Sequence, residues 1–593
     1  MKKIFFAVIV LIMTNSCKLS NNNQHNEANK ELGALLDKYY DERMSLFPLE
    51  ATAIGDNRFN DKLYADFTDG YRQKLLEFYK KYSDYLKKFD RDQLNENDQL
   101  SYDVFKREME MNIEELAFHT NYIPTNQFEG LTLTMGQMGS GSGNQPFKTV
   151  KDYDNWLLRM KAFGEWTDSA IVYFRKGITN KYVLPKALVL KMIPEMNAMI
   201  TTDVTKNLFY SPINNFPKNF DEADKKRLTE AYTQVIQQYM ISSYKKLSDF
   251  LTNEYLPVAR NSTGINDVPN GSDYYKYLVK YWTTTNKTPE EIYTTGLSEV
   301  ARIRTEMEKI KTEVGFTGSL KAFFEYIKTD KKFMPYKTPQ DVLNAFHAIQ
   351  LKMEPNLQTM FGKVPKTKFE IRQTEAFRAA SASAEYNPGA PDGSRPGIFY
   401  IPIVDATKFN ITSGMESLFL HEAIPGHHYQ NSLQMENDQL PKFRRFLWYG
   451  AYGEGWALYC ESLGKELGLY TDPYQYMGAL GDEIHRAIRL VVDVGMHTKN
   501  MTREEAIKYM MDNEQINEEG ATAEIERYMA IPAQALSYKI GALKITELRN
   551  KYTQQLGANF KLSAFHDEFL KDGCLPLDIV EAKMDKWAEQ MKK

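Results

Sequence analysis

The stretch 288–315, TPEEIYTTGLSEVARIRTEMEKIKTEVG, decides the fold class of this chain. Its opening tetrapeptide combines an N-capping threonine, a proline at the first helical position and a glutamate at the third. Apolar residues then recur every three or four positions from Ile292 to Val314, and Gly315 is typical of a helix end. Similar openings occur at Thr338 and Thr502. The sequence therefore predicts a mainly α-helical body.

The composition is that of a large folded protein. The 593 residues are 42% hydrophobic and 26% charged, which excludes a disordered or collagen-like chain. The net charge of −4 gives no basic bias of the kind that nucleic-acid binding needs, so no nucleic-acid partner is expected. Only three cysteines occur, Cys17, Cys460 and Cys574, so we expect no disulfide framework.

The first residues predict an export signal. Two lysines precede an apolar run, Ile4–Met13, that is too short for a membrane-spanning helix of ~20 residues. Residues 1–16 resemble a bacterial lipoprotein leader, in which the next residue, Cys17, becomes lipidated. Thr14 stands where leucine is commonest in such leaders, so cleavage by the ordinary soluble route stays open. We expect a cell-envelope lipoprotein of the periplasm or outer membrane, tethered to the membrane by the polar segment 17–30.

The body divides loosely into an N-terminal helical half, 31–285, and a C-terminal half, 286–593, within one continuous fold. Strand signals are few: one lies at 368–373 and the other at 398–404. Between them, 387–397 is so rich in proline and glycine that a helix is excluded. These signals predict a small β-sheet in the C-terminal half.

The segment HEAIPGHH, residues 421–428, is the first candidate for chemistry. A capping-box pattern at 413–416 predicts a helix that carries His421 and Glu422. In zinc hydrolases, helical imidazoles hold the metal and the adjacent glutamate activates water. The usual second histidine lies four residues after the first, on the same helix face, but here that position is Pro425.

Two histidines compete for the vacant role. His428 shares a face with His421, but lies about 10.5 Å farther along a regular helix. His427 would point away on a regular helix, yet Pro425 and Gly426 are expected to break the helix there. We therefore predict His427 as the second ligand, with His428 as an alternative ligand or as a donor to one. The plain alternative is a surface helix break without metal.

The segment GEGWALYCE, residues 453–461, offers a third ligand. Glu454 and Glu461 are seven residues apart and therefore share a helix face. Burying two carboxylates among apolar neighbours is costly unless a cation or donor meets them. A solvated acidic stripe is the simpler interpretation.

Together, His-Glu-x-x-Pro-Gly-His-His and Gly-Glu-Gly-Trp-Ala-x-Tyr-x-Glu resemble the bacterial family with domain of unknown function 885. That family is similar to the gluzincin-type zinc peptidases, and the resemblance covers most of the mature chain. It implies a large helical metallopeptidase-like body with a small β-sheet beside the active-site helix. By similarity to the aminopeptidase motif Asn-Glu-Gly-Phe-Ala, it also implies Glu454 as the third ligand of one Zn²⁺ ion. Glu461 would then orient a ligating histidine.

A polar stripe runs through a helix predicted to be buried. Arg489, Asp493 and His497 recur every four residues among apolar neighbours. One interpretation is a structural Arg–Asp pair that fastens two helices. The functional interpretation places His497 near the metal, where it donates to the substrate oxyanion, and makes Asp493 an alternative ligand or a partner of one.

Further candidates for substrate contact follow in the last hundred residues and in the second strand. Tyr538 is predicted to stabilise the oxyanion with its hydroxyl, and Tyr528 is the alternative. Arg527, Tyr528, Gln534 and Tyr400 are predicted to bind substrate. The strand that contains Tyr400 could pair with an extended peptide.

These residues predict a zinc-dependent peptidase for short peptides, with 286–593 as the catalytic half. His421, His427 and Glu454 would bind the metal, and Glu422 would act as general base. A non-catalytic envelope protein that binds peptide or glycan is one alternative. A zinc hydrolase of a non-peptide amide or ester is another.

Overall fold

The computed structural model describes residues 27–141, 143–375, 379, 382–390, 393 and 395–592. The predicted signal peptide, Cys17 and most of the predicted tether lie outside the described residues. The first helix begins at Lys30, where the tether was predicted to end.

Helices form most of the described chain, in agreement with the predicted fold class. The helices before residue 285 are α1 (Lys30–Leu46), α2 (Pro48–Ala53), α3 (Asp69–Leu86), α4 (Glu96–Glu115), α5 (Leu131–Gly139), α6 (Val150–Thr179), α7 (Lys186–Ala198), α8 (Ser211–Asn214), α9 (Glu222–Val235), α10 (Ser242–Phe250) and α11 (Gly271–Thr283). Those that follow are α12 (Pro289–Glu313), α13 (Leu320–Thr329), α14 (Pro339–Met360), α15 (Met415–Glu422), α16 (His427–Met435), α17 (Lys442–Arg445), α18 (Gly450–Ser462), α19 (Pro473–Thr498), α20 (Arg503–Asn513), α21 (Glu518–Ala530), α22 (Leu536–Leu556), α23 (Leu562–Leu570) and α24 (Leu577–Met591).

The hydrophobic core does not divide at residue 285. One apolar cluster joins Leu36 and Phe78 to Trp456 and Phe569. A second cluster likewise combines residues from before and after residue 285. Each cluster therefore spans both predicted halves, and burial of its apolar side chains stabilises them together.

A three-stranded sheet lies beside the helix that carries His421. Its strands are β1 (Phe369–Gln373), β2 (Glu385–Asn387) and β3 (Gly397–Ile401), in the order β1-β3-β2. β3 pairs in parallel with β1 and antiparallel with β2. The Phe369 and Phe399 rings lie 6.2 and 6.3 Å from that of Phe419 on α15. The prediction of a small sheet beside this helix is confirmed.

Close packing of α18 against α22 fixes the second half of the candidate site. A Cβ atom at Gly455 would lie 2.6 Å from the Cα atom of Gly541. Only glycine allows two helix backbones to approach so closely, because any side chain would push them apart. Glu454, the neighbour of Gly455, is therefore held on a rigid helix pair. Among the described residues, no helix is long and apolar enough to cross a membrane.

Candidate metal centre

The helix that carries His421 is interrupted where the sequence predicted. α15 ends at Glu422 and α16 begins at His427. The Ile424–Pro425 peptide bond between them is cis. Residue 426 passes so close to the preceding turn that a Cβ atom there would lie 1.9 Å from the carbonyl oxygen of His421, so glycine is required. The predicted capping box is not formed, because Glu416 instead accepts a hydrogen bond from the Tyr470 amide.

The second motif holds this break in place. Trp456 on α18 donates its indole Nε1–H to the carbonyl oxygen of Pro425 over 2.9 Å. The indole is fully buried, so the bond is shielded from water. The two sequence motifs are therefore linked directly by a buried hydrogen bond.

Three predicted ligands converge. The Nε2 atoms of His421 and His427 lie 3.5 and 3.6 Å from Oε2 of Glu454. The ligand atoms all lie within 4.8 Å of one another. For ligands at roughly 2.05 Å from a central zinc ion, tetrahedral geometry places neighbouring ligand atoms about 3.3 Å apart. The spacing therefore suits one four-coordinate ion.

One hydrogen bond orients a converging nitrogen. Nδ1 of His421 donates to Oε1 of Glu461 over 2.7 Å, so its Nε2 faces Glu454 and, once deprotonated, presents a lone pair to an ion. Nδ1 of His427 is buried and has no partner among the described residues, which leaves its tautomer unconstrained. Two imidazole nitrogens and a carboxylate are the donor set of catalytic zinc sites. The residues present fit the ion that the sequence predicted.

The local charges favour a cation. Burial disfavours a charged imidazole, but the carboxylates of Glu454 and Glu461 outweigh it and raise the pKa of His421 to about 10. Burial also opposes ionisation of Glu454, yet the two imidazoles hold the pKa of that carboxyl well below its ordinary value. The centre therefore attracts positive charge, either as protons or as a metal ion.

Glu422 is the last residue of α15 and is half-buried. In the described part of the chain, no hydrogen bond is formed by its carboxylate. Its charge is one of those that raise the pKa of His421, so it lies within electrostatic reach of the cluster. A carboxylate that is near the ligands and not committed to another group can accept a proton.

The family of the chain follows from comparison with known proteins. The family model described as "bacterial protein of unknown function (DUF885)" matches residues 48–584. The chain belongs to this family. No curated protein matches it.

Two solved structures resemble this DUF885 protein over almost their whole length. One, from Colwellia psychrerythraea, is described as a "putative lipoprotein"; it is 26% identical, with a TM-score of 0.84, over 94% of this chain and 99% of that one. The other, from Shewanella oneidensis, is described as a "putative lipoprotein of unknown function"; it is 20% identical, with a TM-score of 0.74, over 93% and 99%. The second likeness bears on the fold alone.

His428 of the DUF885 chain does not join the cluster. Its Nδ1 atom lies 2.9 Å from the hydroxyl of Tyr386 on β2, and its ring packs 5.0 Å from that of Phe369. Burial lowers the pKa of His428 to about 4, which keeps the ring neutral. Because the helix restarts at His427, the two neighbouring rings diverge. This placement shows that the alternative prediction, with His428 as a ligand or as a donor to one, is wrong.

The polar stripe on α19 is structural in this DUF885 protein. His497 accepts a hydrogen bond at Nδ1 from the Ile265 amide over 2.9 Å and donates from Nε2 to the Tyr528 carbonyl over 3.0 Å. Asp493 accepts from the Tyr275 hydroxyl, 2.5 Å away, and from the backbone amide of Ala533. Both side chains are fully buried and fully engaged. The expectations that His497 donates to an oxyanion and that Asp493 serves the metal are therefore corrected.

The two candidate tyrosines differ in accessibility. The hydroxyl of Tyr528 is held by Arg489 and Glu524, and its side chain is buried. Tyr538, at the start of α22, is half-buried beneath the Arg489 guanidinium, 4.7 Å from its ring. Its hydroxyl makes no hydrogen bond to another described residue. Tyr538 therefore remains the candidate electrophile, and the substrate role of Tyr528 is corrected.

The other predicted substrate contacts have different outcomes. Arg527 donates to Oε1 of Gln534 over 2.7 Å, so these two half-buried side chains bind each other. Tyr400 is half-buried on β3, where its register partners are Arg372 and Glu385. Because β3 is paired on both sides, it has no free edge for a peptide, and the expectation of strand pairing at β3 is wrong.

Sequence reasoning missed two neighbours of the cluster. Arg486 lies 4.0 Å from Glu461. It precedes Arg489 by three residues on the same helix, so the spacing of the polar stripe could have identified it. The ring of Trp448 lies 6.0 Å from that of His427. A Cβ atom at Gly453 would lie 2.0 Å from this indole, which is why glycine precedes Glu454. No local pattern points to Trp448.

Proposed function

We propose that this DUF885 protein is a zinc-dependent hydrolase that cleaves peptide bonds of short peptides. The observation that carries the proposal is the convergence of His421, His427 and Glu454 within 4.8 Å, with Glu422 next to a ligand. The two Nε2 atoms and the carboxylate oxygen of this cluster face one another, and a divalent cation that displaces their protons would satisfy all three.

Each residue has a distinct role in the proposed reaction. His421, His427 and Glu454 would hold the ion, and Glu461 would orient the His421 ring through its 2.7 Å hydrogen bond. When bound, zinc supplies a Lewis acid that lowers the pKa of water to about 7 and polarises a carbonyl group.

The protons are handled by Glu422. Its carboxylate takes a proton from water as the water oxygen bonds to the peptide carbon, and it then delivers that proton to the leaving nitrogen as the C–N bond breaks. Tyr538 would donate its hydroxyl hydrogen bond to the carbonyl oxygen as negative charge develops there. Hydrolysis thus consumes one water and releases one acid and one amine.

The burial of the ligands favours small substrates. His421 is 4% and His427 is 8% exposed, so a scissile bond must enter between helices to reach them. A short or unfolded peptide can do so, whereas the backbone of a folded protein is hydrogen-bonded within its own structure. The leader pattern and the description of the similar structure from Colwellia psychrerythraea support attachment to the cell envelope through a lipid on Cys17.

The test compares metal content with peptide hydrolysis. We expect one zinc per chain, hydrolysis of peptides that stops on chelation, and a 10²–10⁴-fold lower kcat for Glu422→Gln, roughly the contribution of a general base. Glu422→Gln should keep its zinc, and the exposed Glu313→Gln is the matched control.

The possible results separate the alternatives. Full activity of Glu422→Gln would contradict the mechanism. Stoichiometric zinc without hydrolysis of any peptide would favour a non-peptide amide or ester as substrate. Absence of zinc from natively prepared protein would favour a binding role.

A further inference from the structure

Three large apolar side chains stand exposed around one cavity near the metal centre. Ile54 is 40%, Phe446 37% and Trp448 44% exposed, although each would gain free energy by burial. All three line the same cavity of about 290 Å³. Such a cluster of unburied apolar groups marks a binding site more often than scattered single residues do.

The cavity has a floor and walls of ordered apolar groups. It lies between α1, α2 and the segment that follows α17. The rings of Tyr40 and Phe446, both in the lining, stack on each other, with centroids 6.2 Å apart and planes 22° from parallel. Met44 and Phe443 are buried beneath them. The lining is therefore preformed and does not require a partner to assemble it.

The charged groups of the lining are already paired. Arg43 binds Glu50 through two hydrogen bonds, 2.8 and 3.1 Å long. Glu108 accepts a 2.6 Å hydrogen bond from the Tyr449 hydroxyl and lies 3.9 Å from the Arg107 guanidinium. No carboxylate or guanidinium of the lining is left to balance a charged guest, so an uncharged guest is favoured.

Trp448 connects the cavity to the metal centre. Its indole lines the cavity, lies 6.0 Å from the His427 ring and rests against Gly453, the residue before Glu454. A guest in the cavity would thus be separated from the metal ligands by a single side chain. This is the separation expected between the scissile bond of a peptide and a side chain close to it in the sequence.

We infer that this cavity receives one large apolar or aromatic side chain of a peptide substrate. Its volume lies near the lower end of the roughly 300–1,000 Å³ found for small-molecule sites, which suits a side chain and not a whole peptide. The effect on cleavage rests on the proposed function, whereas binding of the side chain does not.

The test fills the cavity from a position that carries no other role. Ala53 is the exposed last residue of α2 and lies at the cavity, so Ala53→Phe should occupy it without disturbing the core. Ala301→Phe, on the exposed face of α12, is the matched control. The probes are alanine hexapeptides in which one phenylalanine is moved through each position.

Two readouts are compared on the full-length protein. In wild type, kcat/KM should be at least ~10-fold higher for the best phenylalanine peptide than for hexa-alanine, from burial of one aromatic side chain. Binding of the same peptides to Glu422→Gln, measured by calorimetry, should show the same preference. Ala53→Phe should abolish both preferences, whereas Ala301→Phe should retain them and cleave hexa-alanine as wild type does.

The outcomes distinguish the two proposals. Hydrolysis without a phenylalanine preference, or with a preference that survives Ala53→Phe, overturns the side-chain site and leaves the peptidase standing. A binding preference that Ala53→Phe removes, in a protein that hydrolyses none of the peptides, supports the side-chain site and overturns the peptidase.

Discussion

Two buried groups of ionisable residues lie on neighbouring helices of this protein, and they differ in how their polar atoms are satisfied. In the candidate metal centre, the Nε2 atoms of His421 and His427 converge on an oxygen of Glu454, and only added protons or a cation can bridge them. On α19, Asp493 accepts a hydrogen bond from a tyrosine hydroxyl, and His497 accepts one backbone hydrogen bond and donates another. Both groups combine imidazole and carboxylate side chains.

The difference teaches that burial and residue type do not mark a functional site by themselves. A buried polar atom that lacks its partner costs about 1–3 kcal/mol, so a fold keeps unmatched acceptors together only where another group compensates for them. Asp493 and His497 need no such group, because backbone and tyrosine groups already meet their polar atoms. The candidate metal centre does need one, either as protons or as the proposed metal ion.

Removal of a metal ligand should give the largest effect. We expect Glu454→Gln to lose zinc and to lose kcat/KM by more than the ~10–100-fold typical of an outer partner, because the neutral amide is a poor ligand. Metal analysis of zinc-reconstituted protein and peptide assays check this. Asp493→Asn, on the α19 stripe, should keep one zinc per chain; an equal loss of zinc from both variants would remove the distinction between the two groups.

The partner of His421 should have a smaller effect. Glu461→Gln keeps an oxygen that can accept from Nδ1 of His421 but removes the negative charge. We expect zinc affinity to fall by about 10–100-fold without loss of stoichiometry at saturating metal, measured by competition with a chelator. Unchanged affinity would mean that Glu461 serves only to pack α15 against α18.

Local sequence predicted the main helices, two strands and the approach of His427 to His421 because the relevant forces are local, whereas Glu454 was chosen through the family resemblance. The capping signals of 288–315 place α12 at Pro289–Glu313, and the break at Pro425 and Gly426 brings His427 toward Glu454. The strands at 368–373 and 398–404 also appear, as β1 and β3, within three residues of their predicted ends.

The failures came from contacts distant in the chain. The partner of Nδ1 in His497 is Ile265, 232 residues away, and no spacing within α19 reveals it. β2 lies at the edge of the region rich in proline and glycine, where no strand was predicted, because the edge of β3 is available for pairing. That pairing also removed the edge which a substrate peptide was expected to use.

The smallest predicted effect concerns the pH dependence of stability at His497. Burial lowers its pKa to about 3, whereas an unfolded histidine has a pKa near ~6.5. Between these values the unfolded chain binds a proton that the native chain does not, so the free energy of unfolding decreases as pH falls through this window, by up to ~1.4 kcal/mol per pH unit.

His497→Gln removes this proton uptake. We expect the variant to be about 1–3 kcal/mol less stable at pH 7, because glutamine does not reproduce both backbone hydrogen bonds, but to lose less further stability between pH 6 and pH 4 than wild type. Denaturant unfolding with a chelator present measures the slope apart from metal binding, and the exposed His347→Gln is the control. If His497→Gln instead kept the wild-type pH dependence of the free energy of unfolding and lost zinc, the α19 stripe would belong to the candidate metal centre. The difference between hydrogen-bonded and converging polar atoms would then not identify a functional site.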